Sequence, residues 1–203
     1  MARRASLTLI AFILTVVTMF GLVPWVLTTV SIPLFVVWIG LPMFIGAIAL
    51  SRVWADAGRW VTGRITGRPV ERPYRPVPRG SGFFGRVKVL ITDPATWRDY
   101  LWILVACVPG FTLVVLVVAM AAAPLFYLVY PLLLAVTPPG VFSEPYGNLL
   151  VLEHWTDGFW MWPMGAFFFG LWWLTTPGIM TGWAAMTRAL LSPTRASQLQ
   201  GRV

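Results

Sequence analysis

The sequence predicts an all-α polytopic membrane protein, with four transmembrane helices and amphipathic interfacial helices on the cytoplasmic side, and three observations predict it. Of its 203 residues, 58% are hydrophobic and 11% charged, where a soluble chain carries roughly a quarter charged residues. Residues 5–51, 100–143 and 158–187 contain no Asp, Glu, Lys or Arg, and one spanning helix needs about 20 apolar residues. Ten of the 15 basic residues fall between Ser51 and Asp99, a block that the positive-inside rule assigns to the cytoplasm.

The elements follow in order. Arg3 and Arg4 hold the amino terminus inside, and the first span runs over 7–23, uncleaved because no small-x-small site follows it. Pro24, Thr28 and Thr29 supply a turn, and the second span returns over 29–50 with bends at Pro33 and Pro42. The cytoplasmic region 51–99 opens on an amphipathic helix at the lipid surface, with Val53, Trp54, Ala57, Trp60, Val61 and Ile65 on one side and Arg52, Asp56, Arg59 and Arg64 on the other. Pro69, Pro73, Pro76 and Pro78 then favour an extended connector. A second amphipathic stretch carries Phe83, Phe84, Val87, Leu90 and Ile91 against Arg86 and Lys88. Arg52, Arg59, Arg64, Arg86 and Lys88 are the candidate contacts to anionic inner-leaflet lipid.

Asp93-Pro94 starts a new helix, with Asp as cap and Pro preorganised at the first position, and Trp97, Tyr100 and Trp102 mark the membrane surface. The third apolar stretch, 101–136, reads either as one passage kinked at Pro109, Pro124 and Pro131 or as two short ones. Charge bias selects one net crossing: the loop 137–160 carries Glu144, Glu153 and Asp157 without Lys or Arg, whereas Arg188, Arg195 and Arg202 follow the last span, 163–186. Both termini are then cytoplasmic. Trp155, Trp160 and Trp162 form an outer belt, and Gly178 with Gly182 makes a GxxxG pair suited to helix contact within the bundle or in a homodimer.

Several words in this order carry a resemblance: Ile39-Gly40-Leu41-Pro42, Pro73-Tyr74-Arg75-Pro76 with Phe84-Gly85-Arg86, Asp93-Pro94-Ala95-Thr96-Trp97-Arg98-Asp99, Thr176-Pro177-Gly178, and Arg188 to Pro193. The chain resembles the putative-sensor membrane domain at the amino-terminal end of many actinobacterial histidine kinases, also found free-standing. The resemblance implies a four-span input module that passes a membrane or envelope signal to a cytoplasmic output. Its implied partners are a histidine kinase, a response regulator or a neighbouring membrane protein. The sequence contains no kinase domain, so the expectation is a stand-alone or truncated member.

Catalytic and cofactor chemistry is expected to be absent. The only histidine, His154, falls in the outer loop and cannot serve as a cytoplasmic phospho-acceptor or complete a nucleophilic triad there. Gly80-Ser81-Gly82-Phe83-Phe84-Gly85 matches a nucleotide-binding pattern but follows no strand. His154, Met161 and Met164 are soft donors for Cu(I), although such methionines at a membrane rim usually pack. The net charge of +8 is read as lipid attraction, with no nucleic acid and no cofactor expected. Cys107 is read as a small buried hydrophobe. Glu144, Glu153, His154 and Asp157 form the candidate sensing loop, since histidine titrates in the range an envelope experiences. The alternative function is a scaffold that binds anionic lipid and organises neighbouring membrane proteins.

Overall fold

The computed structural model describes residues 1–34, 39–74, 82–138 and 140–193; the side chains of Phe83, Phe84, Arg86 and Asn148 also fall outside that description. Arg75, Arg79, the first residues of the glycine motif, and the tail with Arg195 and Arg202 lie outside the described residues. The helices are α1 (Ala2–Ser31), α2 (Gly40–Thr66), α3 (Phe83–Thr92), α4 (Pro94–Val105), α5 (Phe111–Leu128), α6 (Tyr130–Val136) and α7 (Trp162–Leu191). A π-helical turn, Ala106–Gly110, joins α4 to α5, and a 3-10 turn, Trp155–Met161, leads into α7. Pro145–Asn148 is a four-residue extended piece.

α1 does not turn at Pro24 as expected, but continues to Ser31. Thr28 and Thr29 stay helical, their hydroxyls donating to Pro24 O and Trp25 O. One bond lost at a proline costs less than opening a turn in apolar surroundings. The chain turns instead after Ser31, and residues 40–50 belong to one helix with 51–66. Gly67, at φ 70°, closes α2 by donating to Gly63 O at 2.8 Å. The left-handed backbone there suits glycine.

The two sides of α2 do not separate as the amphipathic expectation has them. Val53 and Trp60 point outward, each 63% exposed, but Trp54, Val61 and Ile65 pack inward, and Arg59 is buried with Ser51, Ala55, Gly58 and Thr62 against the bundle. In a lipid-like surrounding large apolar groups gain nothing by turning inward, whereas small ones let helices approach closely. Trp102, expected at the surface, is buried against this small-residue face.

Three contacts fix the direction of α4–α5 against α1. Thr29 Oγ1 lies 2.8 Å from Tyr100 OH, Cys107 Sγ meets Thr18 O at 3.5 Å, and Leu7 and Ala11 pack with Val114 and Val117. The two helices are therefore antiparallel. α7 is antiparallel to α4–α5 as well, with Arg98 beside Ser192, Met120 beside Thr175 and Tyr127 over Gly165. α1 and α7 consequently run in the same direction, with Trp172 on Thr8 and Trp183 in the cluster that holds Leu14. Four crossings with both termini on one side would require them to oppose, so that arrangement is corrected. The reason is the strap after Gly67, which doubles back along α2 and makes α2 and α4 run the same way, with Arg52 beside Thr96.

Among the described residues two helical stretches are long and apolar enough to cross a membrane, Ala2–Ser31 and Pro94–Leu128. The second is one helical stretch that runs through the π turn at Pro109 and breaks at Val129. Leu9, Phe12, Ile13, Val16 and Phe20 line the exposed side of α1. Trp155, Trp160 and Trp162 are exposed at the start of α7.

Candidate functional site

Arg52, Arg59, Asp56, Asp93 and Asp99 of the basic block meet in one largely buried cluster where α2, α4, the strap and the carboxyl end of α7 converge. α2 contributes Arg52, Asp56 and Arg59 at helical spacing. Asp93 caps α4, its Oδ1 accepting from Ala95 N at 3.0 Å with Pro94 at the first position, as expected. That cap sets the register of α4 and turns Asp99 inward. The strap carries Tyr74 into the middle.

Arg59 is 3% exposed and Asp99 1% exposed. The Arg59 guanidinium donates to Asp99 Oδ1 at 2.7 Å, to Asp56 Oδ1 at 2.8 Å and to the Tyr74 oxygen at 2.7 Å. Tyr74 OH donates in turn to Asp99 Oδ2 at 2.7 Å, closing a ring of three groups. Arg72 pairs with the second oxygen of Asp56 at 3.0 Å. Arg52 lies 3.5 Å from Asp93, donates to Thr96, and sits 4.3 Å above the Tyr74 ring. Three arginines thus meet three aspartates. Buried charges persist when paired and hydrogen-bonded in this way.

One of these arginines, Arg59, holds the end of α7 together with Arg98. Arg98 donates to Ser192 O at 2.8 Å and Ala189 O at 3.1 Å, and Arg59 Nε reaches Leu191 O at 3.4 Å. These are carbonyls the helix cannot satisfy itself, and cations complement its negative end. Arg188 returns the contact, donating to Thr66 Oγ1 and Arg68 O where the strap begins. The arrangement is a latch: moving the end of α7 requires exchanging several charge-assisted hydrogen bonds.

Burial first, then the charge and hydrogen bond of Asp99, push the Tyr74 phenol far above its ordinary 10.0, with Arg59 pulling the other way. Tyr74 therefore remains a donor to Asp99 throughout the physiological range. In the unfolded chain the phenol ionises near 10.0, so its contribution is complete below that pH and declines as pH rises beyond it. Thermal scans from pH 8 to 11 are expected to show a smaller alkaline loss in Tyr74→Phe than in wild type. Equal slopes would remove Tyr74 from the cluster.

Arg59 is thus no lipid contact, because its whole donor set faces protein; Arg52 is paired and partly covered. Arg64 and Lys88 are exposed, and Arg86 lies outside the described side chains. Gly178 and Gly182 face outward, with nothing among the described residues within 4 Å of where a Cβ would stand, so they form no close helix contact within the described bundle. Close approach occurs instead at Gly58 under Trp102, Gly158 against Pro131 and Gly165 against Tyr127.

In the loop 137–160, Glu144, Glu153 and His154 are exposed. His154 and Asp157 do meet, as a helix start: Asp157 Oδ2 accepts from His154 N at 2.9 Å and Glu153 N at 3.1 Å, with the imidazole 3.9 Å away. Met161 is buried with Tyr130 and Leu152, away from the 78%-exposed His154, so the copper grouping does not assemble. No group of three His, Cys, Asp or Glu suited to a metal occurs among the described residues.

Sequence reasoning missed the latch because it counted the arginines and did not ask where Asp56, Asp93 and Asp99 go. Three acids inside a basic juxtamembrane block are the signal that could have found it.

No curated protein and no solved structure matches the chain. The family model described as Putative sensor matches residues 8–191. That span takes in all three arms of the latch, from Arg52 and Arg59 through Tyr74 and Asp99 to the Arg188 end of α7, and the chain belongs to the Putative sensor family.

Proposed function

We propose that the chain is a membrane-embedded, non-enzymatic input module of bacterial signal transduction, and that its output leaves through the carboxyl end of α7. The observation that carries this is the latch on Ala189, Leu191 and Ser192 by Arg98 and Arg59. A bistable contact on one helix end is the physical requirement for a signal to be passed on. Membership of the family supports the sensor reading. The end that gathers Arg52, Arg59, Arg72, Arg98 and Arg188 faces the cytoplasm and the acidic loop faces outward, by the positive-inside rule. In this orientation α4–α5 and α7 cross as an antiparallel pair, and the output partner is a histidine kinase or response regulator.

The test places a photo-crosslinking residue at the exposed Ala189 position in the full chain in its native membrane. The expected result is capture of a kinase or regulator whose phosphorylation state changes in Arg98→Gln. Capture of no signalling protein in either form, or identical phosphorylation in both, would sink the reading.

A further inference from the structure

Between α2 and the strap lies an open groove of about 530 Å³ that the latch does not use. Its polar wall is Arg64 and Arg72; its apolar wall is Trp60, Pro69 and Val70, with Gly63 as floor. Asp56 and Arg59 close the inner end and already bind each other. Arg72, 71% exposed, shares Asp56 with Arg59, so one carboxylate faces two guanidiniums. Arg64 has no carboxylate partner among the described residues and lies 4.9 Å from the Trp60 ring, held on its face. Trp60 itself is 63% exposed. The groove therefore offers two forked cations, incompletely neutralised, beside an exposed apolar ledge.

We infer that this groove binds the phosphodiester headgroup of an anionic phospholipid, with Arg64 and Arg72 on the phosphoryl oxygens and the upper acyl chain along Trp60 and Val70. Guanidinium forks match phosphoryl oxygens two at a time. A wholly soluble anion would leave the apolar wall uncovered, whereas a lipid covers both. The surface also differs from the broad basic face expected of Arg52 and Arg59, which are turned into the protein. The strap is pinned at Arg68 by Arg188 and at Tyr74 by Asp99, so a headgroup seated between these pins bears on both. Binding does not depend on the signalling reading: it is read on lipid alone, and output from α7 is a separate measurement.

The test uses the full chain in nanodiscs of phosphatidylcholine with increasing phosphatidylglycerol, read by native mass spectrometry of retained lipid. Arg64→Gln with Arg72→Gln is expected to weaken phosphatidylglycerol retention by about fivefold for each arginine removed. The variant Arg3→Glu removes the same two units of charge elsewhere and is expected to retain lipid like wild type. Trp60→Ala is expected to reduce retention without altering net charge. Equal loss in Arg3→Glu and in the double arginine variant would mean a diffuse charge effect and overturn the site. Full displacement by millimolar inorganic phosphate, with no preference for phosphatidylglycerol over phosphatidylcholine, would assign the groove to a soluble phosphate and overturn the lipid. Both arginine variants lie at exposed positions, and an unchanged melting temperature in the nanodisc checks that the fold is intact.

Discussion

Asp99→Ala is expected to destabilise the chain by about 3–5 kcal/mol, the range for removing one member of a buried ion pair. The cause is what remains: Arg59, 3% exposed, keeps its charge and its bonds to Asp56 and the Tyr74 oxygen but loses the buried carboxylate facing it, and Tyr74 OH loses its acceptor. The carboxyl end of α7 should loosen with it, since Arg59 also holds Leu191 O. Hydrogen exchange in detergent or nanodiscs is expected to show faster exchange at 186–192 before any change at 111–120. Replacing the pair together, Arg59→Met with Asp99→Leu, is expected to recover most of the melting temperature while leaving the end of α7 loose. A double variant as unstable as Asp99→Ala would mean that the cost lies in packing and not in charge.

The second large effect is steric. A Cβ at Gly58 would overlap the ring of Trp102, which is 3% exposed and has nowhere to retreat. Gly58→Leu is expected to cost at least the upper part of the ~1–3 kcal/mol typical of overpacking, and to push α2 away from α4. Because Arg59 is the next residue, the displacement should reach the Asp99 contact. Trp102→Ala in the same chain makes room for the leucine, and the double variant is expected to be more stable than Gly58→Leu alone. Strict additivity of the two changes would break the proposed contact.

The helical architecture was legible because uncharged stretches and proline positions report directly on bilayer-length segments. Asp93-Pro94 was legible for a local reason, since cap and first-turn chemistry involve residues two apart. The direction of α1 against α7 was not, because it depends on the strap from Gly67 to Tyr74 returning along α2, and charge bias counts residues at loop ends without seeing where a loop goes. The inward face of α2 was misread for a different reason. The periodicity set Arg59 on a polar side facing lipid headgroups, while the inward face is built on Ala55 and Gly58, small residues that give no periodic apolar signal. The site lay in words already singled out, around Tyr74 and Asp99, but pairing across 25 and 40 residues leaves no periodic trace.

The latch also imposes an order on biosynthesis. Arg59, Tyr74, Arg98 and Asp99 are all translated long before the carbonyls of Ala189, Leu191 and Ser192 that Arg59 and Arg98 bind. Until α7 has been inserted and packed, Arg98 has no helix end to hold and the floor beneath Arg59 is missing. A nascent or clipped chain lacking α7 would therefore present an Arg98 guanidinium without its carbonyl partners. Packing of α7 buries that defect, so the contact that holds the carboxyl end of α7 also registers that this helix is in place.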